Sequence, residues 1–98
     1  MIDIEDAKSA VLDALRDAEE RGAPACVLYG EVRDYERWWV IGYQSEAFAR
    51  HGDVMQMLAG NGPYVVPKDG SPIFTLSSAE AVEPQMTRLA ATTSGDGR

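Results

Sequence analysis

The chain of 98 residues has one cysteine, one histidine and no long apolar run. A single cysteine excludes an intrachain disulfide. One Cys and one His, without ligand spacing, do not make a metal site of the usual kind. The apolar runs are far shorter than the roughly 20 residues that a membrane-spanning helix needs. Because no charged, apolar leader is visible at the N-terminus, a cytoplasmic location is the simplest expectation.

Basic residues are also scarce, with 9 Lys and Arg against 16 Asp and Glu and a net charge of −7. Nucleic acids and anionic membranes attract Lys and Arg patches, so neither is expected as a partner, whereas a basic protein is compatible. The length fits one domain, whose 45 % hydrophobic content predicts a core that needs no cofactor. We assign this domain to residues 1–91 and expect the Gly-, Ser- and Thr-rich residues 92–98 to form a disordered tail.

Residues 3–21 predict an amphipathic helix. Asp3 suits the N-cap, and Gly22 and Pro24 suit the end. The apolar positions recur at spacings of three and four, which predicts one buried stripe: Ile4, Ala7, Val11, Leu15 and Ala18. The other positions carry seven acids and three bases, interpreted first as a solvated face and second as a docking surface.

Residues 25–32 and 37–44 are rich in β-branched and aromatic residues, which predicts a hairpin around a polar turn at 33–36. Alternation places two apolar sets on opposite faces of the second strand, so this strand is expected to be central or covered on both sides. The sets are Trp39, Ile41 and Tyr43, and Trp38, Val40 and Gly42.

The rest of the chain predicts a connection and a second hairpin. Ser45 is expected to cap a helical turn through Phe48, followed by a loop at 50–53 and a short strand or helical turn at 54–58, and we expect this connection to be partly irregular. A bend at 60–63 leads into strands 64–66 and 73–76 around Asp69 and Gly70. A capping box of Ser77 and Glu80 predicts a short helix at 79–82, which Pro84 interrupts before helix resumes at 85–91.

The fold class predicted from these elements is α+β. The N-terminal helix packs on a four-stranded, mainly antiparallel sheet, and a short helix follows at the C-terminal end.

Catalytic residues are not expected. Cys26 lies in a strand pattern, where a free cysteine usually behaves as a small apolar residue. A nucleophilic pair of Cys26 and His51 would need the two side chains to be adjacent, together with an orienting third group. The chain is therefore predicted not to be an enzyme, with no catalytic, cofactor-binding or metal-binding residue.

Two sets of residues are candidates for binding a partner protein. Trp38 and Trp39 are neighbours on a strand and must face opposite ways; one belongs to the core, and the other is either covered by residues 45–62 or exposed. An exposed Trp38 beside Tyr35 and Glu36 would be a natural anchor for a partner. The second set is the acidic helix face: Asp13, Asp17 and Glu20.

Five ordered segments carry a likeness to a known family. They are a Trp-led strand at 39–45, a Gly-rich segment leading into an apolar strand at 58–66, an acidic turn at 68–70, a strand at 73–76, and a Ser-Ala-Glu-like element at 77–83. Together they resemble the YrhB-like domain, also called immunity protein 35, of bacterial polymorphic toxin systems. The chain departs from the pattern at Pro67, where members often carry an acid, and at the additional bulky Trp38.

The resemblance implies a small cytoplasmic protein that binds and neutralises a cognate protein toxin, usually the product of an adjacent gene, without catalysis. Either a monomer or a homodimer is compatible with this role. A chaperone-like small protein-binding domain is the alternative. A small enzyme that uses Cys26 or His51 is a third and less favoured interpretation.

Overall fold

The chain folds as an α+β domain in a computed structural model that describes residues 1–58 and 62–96, with side chains through residue 92. The elements are α1 (Ile4–Glu20), β1 (Cys26–Leu28), β2 (Arg33–Tyr35), β3 (Trp38–Ile41), β4 (Tyr43–Ser45), α2 (Glu46–His51), a 3-10 turn (Val54–Gln56), β5 (Tyr64–Pro67), β6 (Phe74–Thr75) and α3 (Val82–Asp96). Strands β2, β3, β5 and β6 form one antiparallel sheet in that order, and β1 pairs separately with β4. The predicted class and the four-stranded sheet are confirmed.

Helix α1 begins and ends as its sequence predicts. The Asp3 carboxylate accepts a hydrogen bond of 2.9 Å from the amide of Asp6, and the chain leaves the helix through Gly22 at a φ of 109°. Glycine adopts that left-handed conformation without steric cost. The helix buries Ala7, Val11 and Leu15 against Ile41 and Val66 of the sheet. The predicted stripe is therefore the contact face of α1.

The sheet is covered on both faces, so its central strands are apolar on both sides. Ile41 and the half-buried Trp39 and Tyr43 pack with α1, whereas Trp38 and Val40 pack on the opposite side with Met86 of α3. This alternation and the central position of β3 match the prediction. The core thus has two layers, one under each long helix.

The turn of the first hairpin lies at a different position from the one predicted. Residues 33–35 form β2 instead of a turn, and the chain reverses through Glu36 and Arg37, so that Tyr35 pairs with Trp38. Glu36 adopts a φ of 59°, which a two-residue turn of this kind demands. The polar composition of residues 33–36 suggested a loop, but an edge strand tolerates polar side chains.

The predicted first strand, 25–32, is also interrupted: β1 ends at Leu28, and the chain reaches β2 through a bend. Gly42 passes close to this bend, since a Cβ there would lie 2.9 Å from the carbonyl oxygen of Tyr29. The interruption divides one expected hairpin into the β1–β4 pair and the β2–β3 pair.

The connection from β4 to β5 is more helical than expected. The Ser45 hydroxyl caps α2 by accepting a hydrogen bond of 3.2 Å from the amide of Phe48, as predicted. Helix α2 continues to His51, so the loop predicted to start at residue 50 starts at Gly52. Of the two alternatives for residues 54–58, a short strand or a helical turn, the structure has the helical turn, at residues 54–56.

The predicted bend at 60–63 lies partly outside the described residues, which resume at Gly62. A Cβ on Gly62 would lie 1.7 Å from the carbonyl oxygen of Leu76. Only glycine permits this close approach between the start of β5 and the end of β6.

The C-terminal helix is the largest departure from the prediction. Residues 79–81 are not helical. Helix α3 begins at Val82 and includes Pro84 in its first turn, where the backbone needs no amide donor. Gln85 organises the preceding bend, because its side chain accepts from the amide of Ser77 and donates to the Ser77 carbonyl, each at 2.9 Å. Helix α3 extends to Asp96, and the proposed domain boundary at residue 91 stays a prediction.

Candidate partner-binding surfaces

The β2–β3 turn contains three of the predicted partner-binding residues. Trp38 is only 8 % exposed and packs beneath α3 against Met86. It is therefore a core residue, and α3, instead of residues 45–62, covers it. Tyr35 is half-buried, and its hydroxyl donates a hydrogen bond to Glu83, which raises the pKa of Tyr35. Glu36 is exposed at the tip of the turn.

Lys68 holds the turn to the rest of the sheet. Its ammonium group lies 2.5 Å from a carboxylate oxygen of Asp34 and 4.2 Å from the ring centroid of Trp39. The hydrogen bond from Lys68 lowers the pKa of the Asp34 carboxyl. Trp39 in turn donates its indole N–H to the carbonyl of Ile2 at 3.0 Å. The second tryptophan is thus half-buried and fixed on the α1 side of the sheet.

The acidic candidates lie on the C-terminal half of α1, and all are exposed. Asp13 forms an ion pair with Arg16 at 3.2 Å, and Asp17 forms one with Arg21 at 3.1 Å. Because α1 and the Tyr35–Trp38 turn pack on opposite faces of the sheet, the structure does not bring the two predicted sets together. We call the second set, Asp13, Asp17 and Glu20, the acidic helix face.

A groove of about 540 Å³ lies beside the β2–β3 turn, between the β5–β6 connection and α3. Its apolar lining includes Trp38, Pro67, Pro72, Phe74 and Leu89, and its charged lining is Arg37, Lys68 and Asp69. The small exposed part of Trp38 contributes to this groove. The sequence did not indicate this groove, because its prolines and Phe74 are also typical of strand ends and turns.

A second feature that the sequence did not indicate is an exposed apolar segment after α2. Val54, Met55 and Met57 are 70 %, 85 % and 52 % exposed. We call them the methionine segment. Apolar residues in a connection that is otherwise polar were the available sign of it, but exposure could not be read from the sequence.

Two buried polar residues hold the methionine segment in place. The Gln44 carboxamide donates to the carbonyl of Leu58 at 3.0 Å and accepts from its amide at 2.8 Å. The Ser45 hydroxyl donates to the carbonyl of Gln56 at 2.5 Å. These bonds satisfy buried polar groups and fix the backbone on which the apolar side chains are presented.

Cys26 and His51 do not form an evident nucleophilic pair. Burial and the nearby Glu19 raise the pKa of the Cys26 thiol, and this favours the unreactive protonated form. The thiol lies 3.3 Å from the carbonyl oxygen of Pro24, whereas His51 is exposed at the end of α2.

Among the described residues, no group of three or more His, Cys, Asp and Glu side chains is placed to hold a metal ion. No helix within these residues is long and apolar enough to span a membrane.

Comparison with known proteins gives one match. The family model for immunity protein 35 matches residues 5–87, a span that runs from the first turn of α1 into α3. No curated protein and no solved structure matches the chain. The matched span contains all six strands, nearly all of α1 and the first part of α3.

Proposed function

The chain belongs to the immunity protein 35 family, and from this premise we propose that it neutralises a cognate bacterial toxin by binding it, without catalysing a reaction. The family match over residues 5–87 is the observation that carries the proposal. The raised pKa of Cys26 supports the non-catalytic part, since a protonated thiol is a poor nucleophile.

The charge of the chain favours a basic toxin. With a net charge of −7, the protein attracts a basic partner over distances of several ångströms and accelerates encounter. Proteins that act on nucleic acids carry Lys and Arg surfaces that fit phosphates. An acidic protein bound at such a surface would block access of the nucleic acid. The acidic helix face is our first candidate for this contact.

The proposal is tested with the protein encoded next to this chain. That protein alone should arrest growth when expressed, and co-expression of this chain should restore growth. The two purified proteins should also form a complex in a pull-down. Growth arrest that persists despite expression of folded protein, with no complex, would refute the proposal.

The absence of catalysis is tested by a double variant, Cys26→Ala with His51→Ala. Neutralisation by simple binding predicts that this variant restores growth as well as the natural protein does. Loss of neutralisation by a folded variant that still binds the toxin would instead indicate an enzyme.

The methionine segment favours a second function, that of a chaperone-like binding domain. Methionine side chains adapt to differently shaped apolar surfaces, so they suit a protein with several clients. Replacing Met55 and Met57 by Lys separates the two functions. If the chain is chaperone-like, the variant loses the ability to suppress aggregation of unrelated proteins; if it is a dedicated immunity protein, the natural chain has no such ability.

A further inference from the structure

Arg37 differs from the other basic residues that the structure describes. Seven Lys and Arg side chains lie within 4.0 Å of a carboxylate: Lys8, Arg16, Arg21, Arg33, Arg50, Lys68 and Arg88. Arg37 is the remaining one among the described residues, and its guanidinium group has no carboxylate partner there. The Arg37 side chain lines the groove.

The other charged side chains that line the groove already have polar partners. The Lys68 ammonium contacts Asp34 and the Trp39 ring. The Asp69 carboxylate accepts a hydrogen bond of 2.9 Å from the amide of Ser71, and hydrogen bonds from Ser71 lower the pKa of Asp69. Among the side chains that line the groove, Arg37 is therefore the cation that remains for an occupant.

The walls of the groove are suited to a large apolar side chain. Phe74 is 38 % exposed, and the edge of Trp38 and the rings of Pro67 and Pro72 line the same space. Burying an aromatic or branched side chain against such surfaces stabilises a complex, and a guanidinium group binds a carboxylate through two parallel hydrogen bonds.

We propose that the groove receives an exposed segment of the toxin in which a large apolar side chain lies next to a carboxylate. This inference rests on the proposed function and adds to it a second contact, distinct from the acidic helix face. A basic segment would be repelled by Arg37. A second copy of this chain is disfavoured as the occupant, because two molecules of charge −7 repel each other.

The first test uses a minimal probe of the same chemistry. N-acetyl-L-phenylalanine, which has a ring and a carboxylate, is titrated into ¹⁵N-labelled protein, and N-acetyl-L-phenylalaninamide is the uncharged control. The acid should shift the Trp38 indole and Phe74 amide signals, with an affinity roughly tenfold higher than that of the amide. Arg37→Gln should abolish the difference between the probes, whereas Arg50→Gln, the same charge change on α2, should preserve it. Equal affinities in the natural protein, or an absence of shifts at these two residues, would overturn the proposal.

The second test uses the toxin itself. Arg37→Gln should weaken the complex roughly tenfold, and Arg50→Gln should leave its dissociation constant unchanged. If the toxin binds the natural protein and Arg37→Gln equally well, the inference about the groove is wrong and the proposed function stands. If the toxin does not bind the natural protein, the proposed function fails, and the groove loses its proposed occupant. A concentration-dependent dimer in sedimentation that Arg37→Gln abolishes would identify a second copy as the occupant and overturn the proposal.

Discussion

Trp38 shows how one side chain can serve both the core and a binding surface. Alternation along β3 predicts that Trp38 and Trp39 face opposite ways, but it does not say what covers each face. In the structure α3 covers Trp38 and leaves 8 % of it exposed, and Trp38 is one of the residues that line the groove. Its contribution to binding therefore depends on its contribution to folding, and the two must be measured separately.

Replacing Trp38 by Ala is expected to destabilise the isolated protein by about 3–5 kcal/mol, because it removes a large side chain from the core under α3. Urea unfolding of the variant measures this loss. Tyr29→Ala is the control, because Tyr29 is 49 % exposed and its truncation should cost clearly less. If Trp38→Ala keeps the natural unfolding midpoint, Trp38 does not belong to the core. Trp38→Phe, which keeps an aromatic ring, remains available for binding measurements if the Ala variant does not fold.

The role of Gln44 in holding the methionine segment in place can be tested by substitution. Gln44→Leu leaves the amide and carbonyl of Leu58 without their side-chain partners, which should cost about 1–3 kcal/mol. Hydrogen exchange at the Leu58 amide should accelerate. Gln56→Leu is the matched control, since Gln56 is exposed and contacts Ser45 through its backbone carbonyl. Unchanged exchange at Leu58 in Gln44→Leu would contradict this role.

The secondary-structure elements differ in how far their sequence determines them. Helix α1 was predictable because its cap, its apolar stripe and its terminating glycine all indicate the same boundaries. The start of α3 was not, because Pro84 interrupts a helix when it lies in the interior but is tolerated in the first turn. Likewise, the polar residues of β2 indicate a loop unless the pairing of Tyr35 with Trp38 is known. The groove depends on the packing of α3 beside two turns, which no local pattern reports.

The packing of α1 on the sheet is tested by Leu15→Ala. Leu15 is 5 % exposed, and truncation of such a leucine costs about 2–5 kcal/mol, a large part of the stability of a small domain. Leu12→Ala is the matched control on the same helix, because Leu12 is 36 % exposed. Thermal unfolding should show a much lower midpoint for Leu15→Ala than for Leu12→Ala. Equal midpoints would mean that the stripe is not the buried face.

At the scale of the whole molecule, the acidic helix face and the groove lie on different surfaces. Among the described residues, the exposed acids Asp13, Asp17 and Glu20 lie on the face of α1, whereas the groove with Arg37 lies on the other side of the sheet. A partner that uses both must extend around an edge of the domain. The net charge was readable from composition, but this separation was not, because it follows from which helix covers which face.

The role of the acidic helix face is tested by comparing two triple variants of equal charge. Asp13→Asn, Asp17→Asn and Glu20→Gln raise the net charge by three, from −7 to −4. The control, Glu5→Gln, Glu31→Gln and Glu46→Gln, makes the same change elsewhere and likewise removes two acids that pair with a base. If the face steers a basic toxin, the first variant should slow association roughly tenfold at low salt, and the control should slow it less. The difference should shrink as salt is raised, because exposed charges are screened. Equal association rates for the two variants would mean that only the net charge acts, and that the acidic helix face is not the contact surface.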